Sequence, residues 1–195
     1  MDINSEKEKF EEYYEYLRSG SILGKIYRRW FLYPKVNLVL EGKILDVGCG
    51  IGHFLRSRPE ALGIDINPRT VAFCQSQGLN AKHVEGFPSN LASESFDSIL
   101  LDNVIEHIED PSDLLKEVQR LLKKDGVFVV GIPGEKGFYS APDHVNFYEE
   151  DSLNSKLFDF GFHSVKSFCT PFVSNYLNKN LSAYCIFVVY RKSES

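Results

Sequence analysis

The run Ile44-Leu45-Asp46-Val47-Gly48-Cys49-Gly50-Ile51-Gly52 constrains this chain more than any other segment. Its apolar start reads as a buried strand and its end as a glycine-rich turn. Gly48, Gly50 and Gly52 keep side chains off that turn and tolerate positive φ, so a ligand can lie against bare backbone. Asp65 closes a second apolar run, Ala61-Leu62-Gly63-Ile64. A carboxylate at that point can accept hydrogen bonds from both hydroxyls of a ribose. Together the two features describe a pocket for an adenosine-containing cofactor at the carboxyl ends of parallel strands.

Two cofactor readings compete. A dinucleotide pocket usually shows G-x-G-x-x-G, with a pyrophosphate over a helix N-terminus. Here the spacing is G-x-G-x-G, and Arg56 and Arg58 lie outside the turn itself. S-adenosylmethionine has no phosphate and carries a positive sulfonium, so it needs backbone room and acceptors. The spacing alone favours it only modestly, and an NAD-dependent oxidoreductase stays open at this point.

Four motifs in order carry a more specific signal. Residues 44–52 resemble the first motif of class I S-adenosylmethionine-dependent methyltransferases. Gly63-Ile64-Asp65-Ile66-Asn67-Pro68 resembles their second-strand motif. The run from Phe96 to His107 resembles their fourth strand and the following helix, and Leu121 to Val130 the turn into the fifth strand. The resemblance is to the small-molecule branch, which includes ubiquinone-biosynthesis O-methyltransferases. It implies an α/β, Rossmann-like, seven-stranded and mostly parallel sheet, with helices on both faces and the last strand antiparallel. It also implies transfer of a methyl group from S-adenosyl-L-methionine to a small molecule, with oxygen the expected acceptor. A catalytically silent binding or scaffold protein that kept the fold is the alternative from another class; the intact glycines and Asp65 argue against it.

Composition sets bounds. The chain has 195 residues and a formal net charge of -5, which argues against nucleic acid as substrate because phosphate neutralisation needs a basic face. Cys49, Cys74, Cys169 and Cys185 form no C-x-x-C pair, so neither zinc nor a disulfide framework is suggested. A polar, acidic N-terminus and the lack of a transmembrane run give a cytoplasmic location as the default expectation. Nothing in the sequence sets the oligomeric state.

Periodicity organises the rest. Residues 5–18 read as a helix broken by Gly20, and residues 22–40 as a second helical or irregular segment broken at Pro34. The resulting division is an N-terminal helical lid over 1–40 and a Rossmann-like domain over 41–195. Strands are expected near 43–48, 61–66, 81–85, 96–102, 126–132, 162–169 and 182–191. Between the first two the chain is short, with Pro59 close to the turn, so only a short helix is expected there. Asn67-Pro68 and Asp110-Pro111 are helix starts, and residues 149–160 form a further helix closed by Gly161.

The resemblance assigns the cofactor residues. Asp46 organises the turn and the methionine amine. Gly48, Cys49, Gly50 and Gly52 supply the open turn, with Cys49 a packing residue. Asp65 is the ribose ligand, and Ile66 packs on adenine. Glu85, Gly86 and Phe87 follow the third strand, where Glu85 replaces the more usual Asp beside the adenine amine. Asp102 and Asn103 end the fourth strand beside the methionine end.

Two histidines, His107 after strand four and His144 in the loop after strand five, are the candidate catalytic residues, since a base is needed when a hydroxyl or phenol must lose a proton. Asn103, Glu106 and His107 have i, i+3, i+4 spacing on one helical face. This resembles a Glu-x-x-Glu-His metal motif of ubiquinone-type and small-RNA methyltransferases, but Asn103 removes the best hard ligand, so no metal ligands are assigned. The basic and aromatic run from Lys25 to Tyr33 could cap the site or touch a membrane holding a lipid-like substrate. Its simpler reading is a lid helix with aromatics on the core and arginines in water. Tyr13 and Tyr14 could also approach the cofactor.

Overall fold

The computed structural model describes residues 3–193. Seven strands form one sheet: β1 (Ile44–Val47), β2 (Leu62–Asp65), β3 (Ala81–His83), β4 (Phe96–Asp102), β5 (Leu122–Pro133), β6 (Phe162–Thr170) and β7 (Cys185–Lys192). Their spatial order is 3-2-1-4-5-7-6. Pairings among the first five are parallel, and β7 runs antiparallel to both β5 and β6. The sheet class, strand count and reversed last strand match the expectation from sequence.

The sheet is buried on both sides because its central strands are apolar at consecutive positions. Phe128, Val130 and Ile132 pack on one face with Leu114, Leu115 and Val118 of helix α5 (Ser112–Leu121) and with Leu153 and Leu157 of α6 (Glu150–Phe158). The alternate residues Val127 and Val129 pack on the other face with Val71 and Cys74 of α4 (Pro68–Ser76) and with Val36 of α3 (Tyr33–Asn37). The helical spacing of Leu114, Leu115, Val118 and Leu121 is therefore core packing, as its period suggests.

The N-terminal segment departs from expectation at Pro34. Helix α1 (Ile3–Ser19) ends before Gly20, and α2 (Ile22–Tyr27) passes through a π-helical turn (Arg28–Leu32) into α3. Pro34 does not break this path. It sits in the first turn of α3, where its missing N–H has no helical partner to lose. Of the aromatic run, Tyr33 packs inward, whereas Trp30 and Phe31 are exposed, so the core takes only part of the stripe.

The short helix expected after the glycine turn is replaced by consecutive turns over 50–57. Gly52 lies at φ +74°, outside helical space, and the Arg56 guanidinium donates to the carbonyls of Ile51 (2.6 Å) and Gly52 (3.0 Å). The Arg56 side chain thus satisfies the Ile51 carbonyl and adds to the backbone N–H of Arg56 on that of Gly52.

Glycine is required at the turn for two reasons. Gly48 has φ +73°, and a Cβ there would stand 2.6 Å from Val104 Cγ2. Gly48→Ala is expected to lower the unfolding free energy by about 1–3 kcal/mol, from left-handed strain and crowding. Urea denaturation measures this; an unchanged midpoint would mean that the turn relaxes freely.

Candidate functional site

The glycine turn is held by β2. The N–H groups of Gly48 and Cys49 both donate to the Ile64 carbonyl, at 2.8 and 3.1 Å. Asp65 then binds backbone on both sides: Oδ2 accepts from Gly50 N at 2.7 Å and Oδ1 from Asn67 N at 2.8 Å. Burial raises the Asp65 pKa, and these two bonds oppose the rise. Asn67 caps α4 through Arg69 N, as its place before Pro68 suggests, and its Nδ2 donates to Phe10 O of α1. The cofactor turn and the N-terminal helix are therefore tied to the same two residues.

A cavity of about 450 Å³ opens above this turn. It gathers Asp46, Gly48, Cys49, Gly50, Asp102, Asn103, His107 and His144 from the expected set. Gly52, Asp65, Ile66, Glu85, Gly86 and Phe87 do not line it. Ile66 is half exposed beyond its edge, Glu85 is exposed, and Phe87 packs against the core. Cys49 is buried in the core, in line with a packing role. Tyr13 enters the cavity edge-on to His107, whereas Tyr14 is buried against Phe73.

The cavity floor is acidic and dry. Asp46 is buried, and desolvation followed by the charges of Asp102 and Asp65 pushes its pKa well up. Asp102 is also raised by burial, which Arg28, Asn103 and the Tyr33 hydroxyl counter. That hydroxyl donates to Asp102 Oδ2 at 3.2 Å, and Asn103 Nδ2 donates to Oδ1 at 2.7 Å. Asp46 and Asp102 in the cavity, with Asp65 behind them and one nearby guanidinium, form a receptor for a cation. They fit a ligand bearing an ammonium and a sulfonium, and the glycine backbone leaves room for it.

Opposite the floor, two histidines meet with ring centroids 4.6 Å apart. His107 does not lie on a regular helix but on a 3₁₀ turn (Ile105–His107). Asn103 stands at φ 54° before that turn, so the single helical face expected for Asn103, Glu106 and His107 does not exist. His107 Nδ1 lies 3.1 Å from Asp143 Oδ2, which leaves Nε2 free. Burial lowers the His107 pKa, and Asp143 opposes this. His144 Nδ1 lies 2.9 Å from the Phe138 carbonyl, which can only accept, so the proton is on Nδ1 and Nε2 carries the lone pair.

Glu106 faces His144 Nε2 at 3.9 Å. It is buried, neither carboxylate oxygen has a hydrogen-bond partner among the described residues, and its pKa is pushed up to about 8 by burial. One ligand-type atom from each of Glu106, His107 and His144 lies within 4.8 Å of the others. The loop that supplies Asp143 and His144 is pinned by Val145 and Asn146 N–H groups on the Glu106 carbonyl, and by Asn146 Nδ2 on that of Ile108. Arg28, Tyr33, His53 and Asp143 escaped the sequence reading as site residues. Tyr33 and Arg28 lay in the basic and aromatic run already noted, but its register on the cavity was not readable.

Comparison with known proteins adds to this geometry. The family described as methyltransferase domain matches residues 45–130. An uncharacterised protein of Methanocaldococcus jannaschii is 28% identical over 65% of this chain and 60% of its own length. A ubiquinone biosynthesis O-methyltransferase of Actinobacillus pleuropneumoniae is 32% identical over 50% of this chain and 48% of its own. The chain thus spans about half to three fifths of these relatives. Among solved structures, an S-adenosylmethionine-dependent methyltransferase of Thermotoga maritima, described as a possible histamine N-methyltransferase, superposes with a TM-score of 0.70 at 24% identity, covering 91% of this chain and 95% of that one. The 1,6-didemethyltoxoflavin N1-methyltransferase of Burkholderia thailandensis, solved with S-adenosylhomocysteine, gives 0.66 at 18% identity over 96% and 87% of the two chains.

The raised pKa of Glu106 makes a stability prediction. Its folded value of about 8 exceeds the ordinary 4.5, so its contribution is fully present below pH 4.5 and is lost as pH rises through about 8. Relative to Glu106→Gln, the wild type should lose on the order of a few kcal/mol across that window. Urea denaturation of both proteins with a chelator present measures it. A pH-independent difference would mean that Glu106 ionises normally.

Proposed function

We propose that this chain, which carries a class I S-adenosylmethionine-dependent methyltransferase domain, transfers a methyl group to a small-molecule acceptor, with oxygen as the receiving atom. The observation that carries the reading is that Asp46 and Asp102 share one cavity with the open glycine turn and with the imidazoles of His107 and His144. When bound, the cofactor supplies an electrophilic methyl group on a sulfonium sulfur.

The residues of the chain divide the remaining work. Asp46 and Asp102 face the cationic end of the cofactor, and Asp65, each of whose oxygens already accepts one backbone N–H, would use its remaining lone pairs to accept from the ribose. Ile66 and the segment Glu85-Gly86-Phe87 stand on the adenine side, outside the cavity. Asp143 orients His107 and the Phe138 carbonyl orients His144 through Nδ1, so each neutral imidazole keeps its lone pair on Nε2, that of His144 3.9 Å from Glu106. One of them takes the hydroxyl proton as the oxygen attacks. Holding both partners in line supplies much of the rate, and the base contributes typically 10²–10⁴-fold. The N-terminal segment 1–40 serves as lid to the domain formed by 41–195.

The cluster of Glu106, His107 and His144 supports a second reading, in which these three hold a divalent metal that would polarise the acceptor oxygen. The unpartnered Glu106 oxygens favour it. Activity that survives exhaustive chelation excludes this reading and leaves the imidazoles as bases.

Calorimetric titration with S-adenosylmethionine, S-adenosylhomocysteine and NAD tests the cofactor. Saturable binding of the first two is expected, and binding of NAD alone overturns the assignment. Asp46→Asn should weaken S-adenosylmethionine at least about tenfold while raising stability above neutral pH, because it removes a buried, crowded carboxylate whose raised pKa costs stability as pH increases. Lower stability with unchanged affinity would make Asp46 a structural residue only.

His144→Ala should reduce turnover about 10²-fold or more and leave cofactor affinity nearly intact. Asp143→Asn, by removing the charge that holds the His107 pKa up, should move the acid limb of the pH–rate profile to lower pH. Unchanged turnover and profile would remove these residues from the proton transfer.

A further inference from the structure

A second pocket of about 410 Å³ adjoins the cofactor cavity and has the opposite character. The end of α1, α2, the π-helical turn and the coil after the glycine turn bring Arg18, Lys25, Arg28, Arg29 and Arg56 to one concavity, with His53 at its wall and no carboxylate in its lining. Five cations converge here in a chain whose net charge is -5. Among the described residues only Arg18 has an ion pair, with exposed Glu15 at 3.3 Å. Lys25 donates to the Arg18 carbonyl, Arg56 to two turn carbonyls, and Arg29 lies over the Trp30 ring. Arg28 faces Asp102, which leaves Lys25, Arg29 and Arg56 without a carboxylate partner among the described residues, a surplus that an anion in the pocket would offset.

His53 stands within that field, at the wall shared by both concavities. Burial, then the charges of Arg28, Arg56 and Lys25, lower its pKa to about 3. A neutral imidazole at the wall offers one N–H donor beside the guanidinium groups, a combination that suits phosphate oxygens.

The pocket is continuous with the reaction site. Arg28, Tyr33, Ile51 and His53 line both concavities. An anion seated among the cations would place the rest of its molecule toward the cofactor cavity, where His107 and His144 wait. With Arg18 paired to Glu15 and Arg28 facing Asp102, three cations remain, and the single carboxylate of S-adenosylmethionine can neutralise one of them, which leaves a surplus for a second ligand.

We propose that this pocket binds a phosphate-type anion carried by the methyl acceptor, so that the acceptor is an anionic small molecule oriented by its charged end. The inference rests on the methyltransferase reading for what the anion is attached to, whereas anion binding itself can be measured without turnover.

The test is calorimetric titration of the full chain with sodium diphosphate at low salt, with and without saturating S-adenosylhomocysteine. Saturable binding is expected in both states, weakened at least tenfold in Lys25→Glu/Arg29→Glu and unaffected in Lys116→Glu, on the exposed side of α5 outside both cavities. In the unmodified protein, diphosphate should raise the His53 pKa followed by ring-proton NMR, a readout that does not depend on a variant folding. Co-sedimentation with phosphatidylglycerol vesicles that diphosphate reverses would assign the anion to a lipid-borne acceptor, and its absence to a free one. No saturable binding, or full competition by S-adenosylhomocysteine, would overturn the proposal. The second result would give the cations to the donor's carboxylate and leave the donor assignment standing.

Discussion

The carboxylate of Asp65 is the joint on which this structure turns. Its two oxygens take the N–H groups of Gly50 and Asn67, so one side chain fixes the glycine turn after β1 and the start of α4 after β2. Charge-assisted bonds to backbone are among the stronger ones in proteins, and here they offset part of the cost of burying a carboxylate. Asn67 extends the joint to α1 through Phe10, and Arg69 adds an exposed ion pair with Glu11 at 2.8 Å. The exposed pair contributes little by itself. The buried bonds set where the N-terminal helix stands, and hence where Tyr13, Leu17 and Arg18 meet the two concavities.

Around that joint the field changes sign over a short distance. Asp46, Asp65 and Asp102 make one wall acidic, and Lys25, Arg28 and Arg56 make the next basic, with Arg28 and Tyr33 on the boundary. Crowding like charges on each side costs stability, because each ionised group is desolvated beside neighbours that oppose it. Arg28 and Asp102 meet at the boundary and offset one another, and the charges on either side of them would gain energy from a cation on one side and an anion on the other.

The sheet was legible because its strands are apolar runs bounded by turn residues, and because alternation with helices forces a parallel order. The glycine turn, Asn67-Pro68 and the α5 stripe carry local signals that tertiary structure had no reason to override. The misses came where local signal and context part. Pro34 marks a break in isolation, yet it is harmless in a first helical turn. Helical spacing placed Asn103 with Glu106 and His107, but Asn tolerates the left-handed region, and φ 54° there redirects its side chain to Asp102. After the turn, Gly52 at φ +74° leaves helical space and Arg56 reaches back to two carbonyls, contacts that no periodicity encodes.

The division between shared and individual parts follows from the same geometry. The matched family region, residues 45–130, contains the glycine turn, Asp65, Asn103 and His107. Arg18, Lys25, Arg28 and Tyr33 precede it, and Asp143 and His144 follow it. These outer residues reach the site from helices laid over the sheet and from a loop pinned to the Glu106 carbonyl, so they can change without disturbing the strands that carry the turn. On the proposed reading, cofactor recognition uses fixed backbone at the ends of β1, β2 and β4, whereas acceptor recognition would draw on side chains supplied from outside the matched region. Four of the five cations of the basic pocket, Arg18, Lys25, Arg28 and Arg29, come from there, so the N-terminal helices would set the choice of acceptor without altering the turn that holds the donor.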